Sequence, residues 1–170
     1  MNLYDHCIPA FVRAIGQVHH WLDKAEAHAT AKKFDVNTLL TARLAPDQYP
    51  LVRQIQSISD TSKATAARLA GIAPPSMADE EKTVAELRAR LEKTTAFLQT
   101  IKREQLDGAA ERMVGIPWMP GKGLKGLDYL TGLQIPNFYF HLTTTYAILR
   151  HNGVDLGKQD FIGPIPFVDV

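Results

Sequence analysis

Apolar residues recur at alternating steps of four and three through the first part of the chain. Tyr4, Ile8, Phe11, Ile15, Val18, Leu22 and Ala25 carry the repeat, and Arg13, Gln17, Asp23, Lys24 and Glu26 fall between them. A seven-residue rhythm with polar residues opposite is the mark of a long amphipathic helix, here predicted from Leu3 to about Lys32. Pro9 sits early, where a missing amide proton costs least.

Asp35-Val-Asn-Thr-Leu-Leu reads as a short helix or turn with Asp35 as its cap. A second long helix is predicted from near Asp47 to the stop at Ala70-Gly71, with Leu51, Ile55, Ile58 and Leu69 on its buried stripe. Ser62, Ala66 and Ala67 keep its far half thin, which lets a neighbour approach closely. Gly71 suits a left-handed cap, and Pro74-Pro75 prevents continuation. The third helix starts either in Asp79-Glu80-Glu81, favoured by the helix dipole, or at Thr83, which has capping-box spacing to Glu86. Val84, Leu87, Leu91, Leu98 and Ile101 keep its rhythm, Thr94 fills the missing slot, and the pattern ends near Gln105-Leu-Asp-Gly108.

From Ala109 to Gly126 the rhythm breaks, and a weak extended hairpin or ordered loop is expected. Helical pattern resumes near Leu127 and runs to His151, interrupted by Pro136 and closed by Asn152-Gly153. The tail, residues 154–170, carries Phe161, Ile162, Ile165 and Phe167 and is expected to lie across the bundle or a partner subunit. Four long amphipathic helices make an all-α, antiparallel four-helix bundle the default. With no repeat and no linker, residues 1–170 read as a single domain.

Composition narrows the partners. Lys and Arg number 19 against 18 Asp and Glu, a net charge of +1. A nucleic-acid binder needs a clustered positive surplus, so that class is set aside. No window reaches the roughly 20 apolar residues a membrane span requires. The N-terminus has no basic n-region and predicts no secretory signal. A lone cysteine, Cys7, forms no internal disulfide, which fits a reducing cytoplasm.

Catalytic signatures are absent: there is no P-loop, dinucleotide fingerprint, G-x-S-x-G elbow or His-Glu-x-x-His. Gly121-Lys-Gly123 lacks the spacing of a phosphate cradle and reads as a flexible loop. Cys7 beside His6 resembles an activated thiol, but it directly precedes the stripe residue Ile8, so a partly buried inert thiol is expected. His19 and Asp23, four apart, read as a surface pair, the alternative being two metal ligands without a third. His20 and His28 read as rim residues, and His151 complements a helix C-terminus. His141 differs, because it lies within the aromatic run Pro136-Asn-Phe-Tyr-Phe-His-Leu. A buried imidazole needs partners for its ring nitrogens. Asn137, one turn upstream, is the expected partner, with a backbone carbonyl or a water as alternatives and a remnant metal ligand as the sharper reading.

The runs Leu22-Asp-Lys-Ala-Glu-Ala-His28, Ala42-Arg-Leu-Ala-Pro-Asp47, Arg68-Leu-Ala-Gly71, Pro136-Asn-Phe-Tyr-Phe-His141 and Ile148-Leu-Arg-His-Asn-Gly153 together resemble a bacterial family of unknown function. That family is placed among the DinB-like (YfiT-like) metalloenzyme superfamily. The resemblance spans almost the whole chain and implies an up-down-down-up four-helix bundle, a homodimer and a cytoplasmic bacterial protein. It also implies a metal site of three histidines, one on the second helix and an His-x-x-x-His pair on the last. Here His141 matches the second of the pair, Asn137 stands at the first, and Gln54 or Ser57 occupies the second-helix region. Amide oxygens are poor ligands for nickel or zinc beside imidazole. The expectation is therefore a pocket without a tightly held metal: Gln54, Ser57, Asn137 and His141, with Tyr4 or Tyr139 nearby, forming a hydrogen-bonded cluster. His141 is the one weak metal candidate, no cofactor is expected, and a small-molecule ligand is the expected partner. A metal-dependent thiol-transferase-like enzyme and a structural or stress-related interaction protein, with the apolar tail as contact surface, are the alternatives.

Overall fold

The computed structural model describes residues 2–169. Helix α1 spans Tyr4–Lys32, α2 Leu51–Ala70 and α3 Val84–Thr100. A two-stranded antiparallel hairpin, β1 Met113–Gly115 and β2 Gly123–Lys125, precedes a short helical turn α4, Gly126–Asp128. A π-helical turn, Tyr129–Gln134, then leads directly into α5, Ile135–His151, and a short helix α6, Lys158–Ile162, lies in the tail. Two 3₁₀ segments, Val36–Thr41 and Arg103–Leu106, fill the connections. Among the described residues the protein is thus mostly helical with one small sheet, and no helix is long and apolar enough to cross a membrane.

The heptad pattern of α1 does what its spacing predicts. Ile8, Phe11, Ile15, Val18, Leu22 and Ala25 are all buried in one core with residues of α2, α3 and α5, while Tyr4 packs partly buried at its edge. Lys33 closes α1 in the left-handed conformation, a device more often served by Gly or Asn. Gly71 closes α2 in the same way, as its sequence position predicts. Asp35 caps the first 3₁₀ segment by accepting from the Asn37 amide.

Two boundaries differ from the sequence reading. α2 begins at Leu51 rather than near Asp47, because Pro50 is extended at the N-cap and the preceding residues turn instead. α3 starts at Val84 behind a complete Thr83–Glu86 capping box, which decides between the two candidate starts. It ends at Thr100 instead of near Gln105, and the chain continues as the 3₁₀ segment that buries Leu106.

The hairpin is tied back to the helices at a close crossing. A Cβ on Gly126 would collide with the Ala109 backbone carbonyl, so only glycine permits the approach. The π-turn that follows lies just ahead of Pro136. That residue has no amide proton, and in a regular α-helix its ring would press on the carbonyl four residues back, so the widened turn has a local cause. Its effect is to place Tyr129, Leu130 and Gln134 against the core.

The tail packs as far as α6. Phe161 stacks on Trp21 at 5.7 Å and meets Tyr146 edge-on, and the Trp21 indole donates to the Asp160 carbonyl at 2.9 Å. The Asp160 carboxylate accepts from Lys24, His20 and the Gly157 amide. Beyond Gly163 the segment is exposed on this chain, with Ile165, Phe167 and Val168 turned outward.

Candidate functional site

The contact between α2 and α5 is the most extensive between any two elements, and it is not purely apolar. Gln54, Thr61, Thr65 and Arg68 lie at steps of seven, four and three, which keeps them on one stripe of α2. Each meets a polar residue of the last helical region. Gln54 Oε1 lies 2.7 Å from His141 Nδ1, and Thr61 Oγ1 accepts from Asn137 Nδ2 at 2.9 Å. Thr65 Oγ1 is 3.2 Å from Gln134 Oε1, and Arg68 Nη1 donates to the Tyr129 hydroxyl at 3.0 Å. The result is a ladder of polar pairs, with Gln54, Thr65, Tyr129 and Gln134 fully or almost fully buried.

At the His141 end the protonation follows from the network. Gln54 Nε2 donates to the Tyr49 carbonyl at 3.0 Å, so its oxygen is the atom turned to the ring. His141 Nδ1 therefore carries the proton, and Nε2 keeps its lone pair. Burial lowers the pKa of His141, and the nearby Arg53 charge lowers it further, so the ring is held neutral. Thr145 donates to the His141 carbonyl at 2.9 Å, anchoring the same turn of α5.

The expected cluster is only partly formed. Gln54, not Asn137, is the partner of His141, because Asn137 lies on the exposed side of α5 and its amide reaches across to Thr61. Ser57 is buried on α2, with no side-chain hydrogen bond to either residue. Tyr4 sits in the first turn of α1 and Tyr139 is 39% exposed beside Phe138, and neither hydrogen-bonds to the pair. Four members of the ladder, Thr61, Thr65, Gln134 and Tyr129, were missed in the sequence, as was the side chain of Arg68. The available signal was the polar stripe at core spacing on α2.

A cavity of about 270 Å³ opens beside the ladder, between α2, α5 and the loop joining the two strands. Thr61, Ala64, Arg68, Gln134, Asn137 and Trp118 line it, with Asp60 and Leu133 completing the wall. Trp118 is 61% exposed and comes from the connecting loop, so the hairpin supplies one wall of the opening.

The donor chemistry here does not fit a catalytic divalent metal. One imidazole, with amide and hydroxyl groups around it, is a weak set for zinc or nickel. Among the described residues no three His, Cys, Asp or Glu side chains come together to hold an ion.

Charged groups gather elsewhere, between α2, α3 and the loop joining them. Arg90 is 3% exposed and donates to Asp60, Glu81 and the Ala78 carbonyl, with Asp79 also paired to it. Lys63 shares Asp60, and Arg53 pairs with Asp79. Burial alone would lower the Arg90 pKa, but the surrounding carboxylates outweigh it and raise it. The cluster staples the loop to the helices.

The remaining candidates resolve simply. Cys7 is fully buried rather than partly so. It donates to the Leu3 carbonyl, and burial pushes its pKa up to about 12, so it is inert. The expected His19–Asp23 pair is replaced by Arg88, which bridges the His19 carbonyl, Asp23 and Glu26. His20 pairs with Asp160, and His28 meets Phe34 edge-on. Gly121 lies in the turn of the hairpin with φ 76°, a glycine conformation rather than a phosphate cradle.

Known proteins place the chain. No curated protein matches it. A crystal structure of a DinB family member protein from Shewanella denitrificans is 40% identical, with a TM-score of 0.95 over 99% of this chain and 96% of that one. The family model "Domain of unknown function (DUF1993)" matches residues 3–162. The chain is therefore a member of this DinB-like family of unknown function.

Proposed function

We propose that the protein is a DinB-type four-helix bundle whose ancestral metal position has become a metal-free, small-ligand pocket without catalytic machinery of its own. The bundle reading rests on which ends meet. Asp5 pairs with Arg103 just past α3, and Asp23 and Glu26 pair with Arg88 near its start, so α1 opposes α3. Phe11 meets Phe138 and Trp21 meets Tyr146, so α1 and α5 share a direction. Asp60 with Arg90 precedes the Leu69 carbonyl with Arg112, and Gln54–His141 precedes Arg68–Tyr129 in the reverse order on α5. An up-down-down-up order satisfies all of these contacts.

The observation that carries the pocket reading is the His141–Gln54 bond, with Asn137 diverted to Thr61. A metal-ligating histidine commonly gives its second N–H to an oxygen, as His141 does to Gln54. Here, however, the other groups along the seam are amides and hydroxyls, weak ligands for zinc or nickel, and no carboxylate hydrogen-bonds to them among the described residues. Bundles build ligand sites from inward side chains of facing helices, and the ladder with its adjoining cavity has that character.

Metal analysis of protein purified without chelator tests the reading. It predicts nickel and zinc well below one ion per chain. One ion per chain that survives dialysis and disappears in His141→Ala would favour the metal-dependent transferase instead.

A further inference from the structure

The cavity bordered by Arg68 and Trp118 is asymmetric in a way that names its ligand. Asp60 and Arg68 are its two charged wall residues. Asp60 is already neutralised, because its Oδ1 accepts from both Arg90 and Lys63. Arg68 is not: its one hydrogen-bond partner among the described residues is the Tyr129 hydroxyl, a neutral group whose pKa burial raises. A half-buried guanidinium facing a cavity without a counter-charge is a site for an anion, and its planar fork matches a carboxylate.

The rest of the wall limits what the anion is attached to. Ala64 and Leu133 are apolar, and the Trp118 indole, largely exposed, lines the opening from the loop. Such a surface takes a flat or aliphatic body. Asn137 spends its Nδ2 on Thr61, and its Oδ1 accepts no hydrogen bond among the described residues. Gln134 is 4% exposed, and one end of its amide faces Thr65 while the other has no partner among the described residues. Both point to a second polar group on the ligand.

We propose that this cavity binds a small organic carboxylate. Arg68 takes the carboxylate, Trp118 covers the apolar body, and Asn137 and Gln134 read a distal hydroxyl or amine. The proposal rests on the metal-free pocket reading above and adds to it a ligand class and a binding direction.

Isothermal titration in the presence of EDTA tests it, with 4-hydroxybenzoate as the probe. Three further probes separate the features: 4-hydroxybenzyl alcohol removes the carboxylate, benzoate removes the hydroxyl, and phenyl phosphate, set against benzoate, replaces the carboxylate with a phosphate. Saturable binding of 4-hydroxybenzoate is expected, weaker for benzoate and undetectable for the alcohol. Arg68→Gln is expected to weaken it by about tenfold or more, the loss of one charge-assisted contact. Trp118→Ala alters an exposed loop residue outside the core and is expected to weaken it several-fold, which keeps the test valid should Arg68→Gln fold poorly. No saturable binding of any carboxylate up to about 10 mM overturns the proposal, as does equal binding of the alcohol or unchanged binding in Trp118→Ala. Tighter binding of phenyl phosphate replaces the carboxylate class with a phosphate ester. Metal content measured on the same preparation separates the two readings: a stoichiometric His141-dependent ion sinks the metal-free pocket, whereas metal-free protein that ignores carboxylates sinks this proposal alone.

Discussion

His141 shows how one side chain's environment fixes its chemistry. Burial and Arg53 hold its pKa below the ordinary histidine value, and Gln54 holds its proton on Nδ1. The unfolded chain therefore binds a proton at higher pH than the native one. The stabilisation from a neutral His141 is complete above the unfolded value, about 6.5, and is lost as pH falls through the lowered native value. His19, also lowered by burial, works in the same direction. Thermal melts of wild type and His141→Gln between about pH 7.5 and pH 5 are expected to show a smaller decline in the variant. Parallel declines would remove His141 from the account.

Arg90 belongs to the same scale. Its guanidinium is buried, but Asp60 and Asp79 remain partly wetted. Arg90→Met leaves three carboxylates without their shared cation. The expected loss is about 2 kcal/mol in urea unfolding, below the 3–5 kcal/mol of a fully buried pair because water still reaches the partners. An unchanged midpoint would mean the cluster contributes only surface charge.

At the scale of elements, the tail is the informative case. The Asp160 carboxyl is held far below the ordinary range, chiefly by the Gly157 amide and then by Lys24, with His20 adding to it while burial opposes them. Its contribution is complete above the unfolded carboxylate value and is lost only as pH falls well below it. At neutral pH, Asp160→Asn is expected to release α6, raising hydrogen exchange across residues 158–162 without altering α2 or α5. Protection equal to wild type would assign the anchoring to Phe161 and the Trp21 bond to the Asp160 backbone.

The same elements explain how much was legible in sequence. The α1 stripe, the Gly71 cap and the Thr83 capping box were readable because each is set by local spacing. The break at Pro136 was visible, but the π-turn it causes was not, and that turn is what brings Gln134 and Tyr129 to α2. Polar positions on α2 such as Thr61 and Thr65 read as helix filler until the partner helix shows what they meet. Asn137 was misassigned for the opposite reason: a spacing of four places it one turn from His141 but leaves the direction of its amide open.

For the whole molecule, an apolar core made by all four long helices is bordered by a polar seam between α2 and α5, and the hairpin loop supplies Trp118 at one end of that seam. Family membership accounts for the frame. At the His141 end of that seam the one buried imidazole is met by the Gln54 amide. Nitrogen-15 NMR of the His141 ring addresses that arrangement directly. The account predicts a neutral ring protonated at Nδ1 near neutral pH, unchanged by equimolar zinc. A ring protonated at Nε2, or one whose Nε2 resonance moves to a metal-bound position when zinc is added, would contradict it.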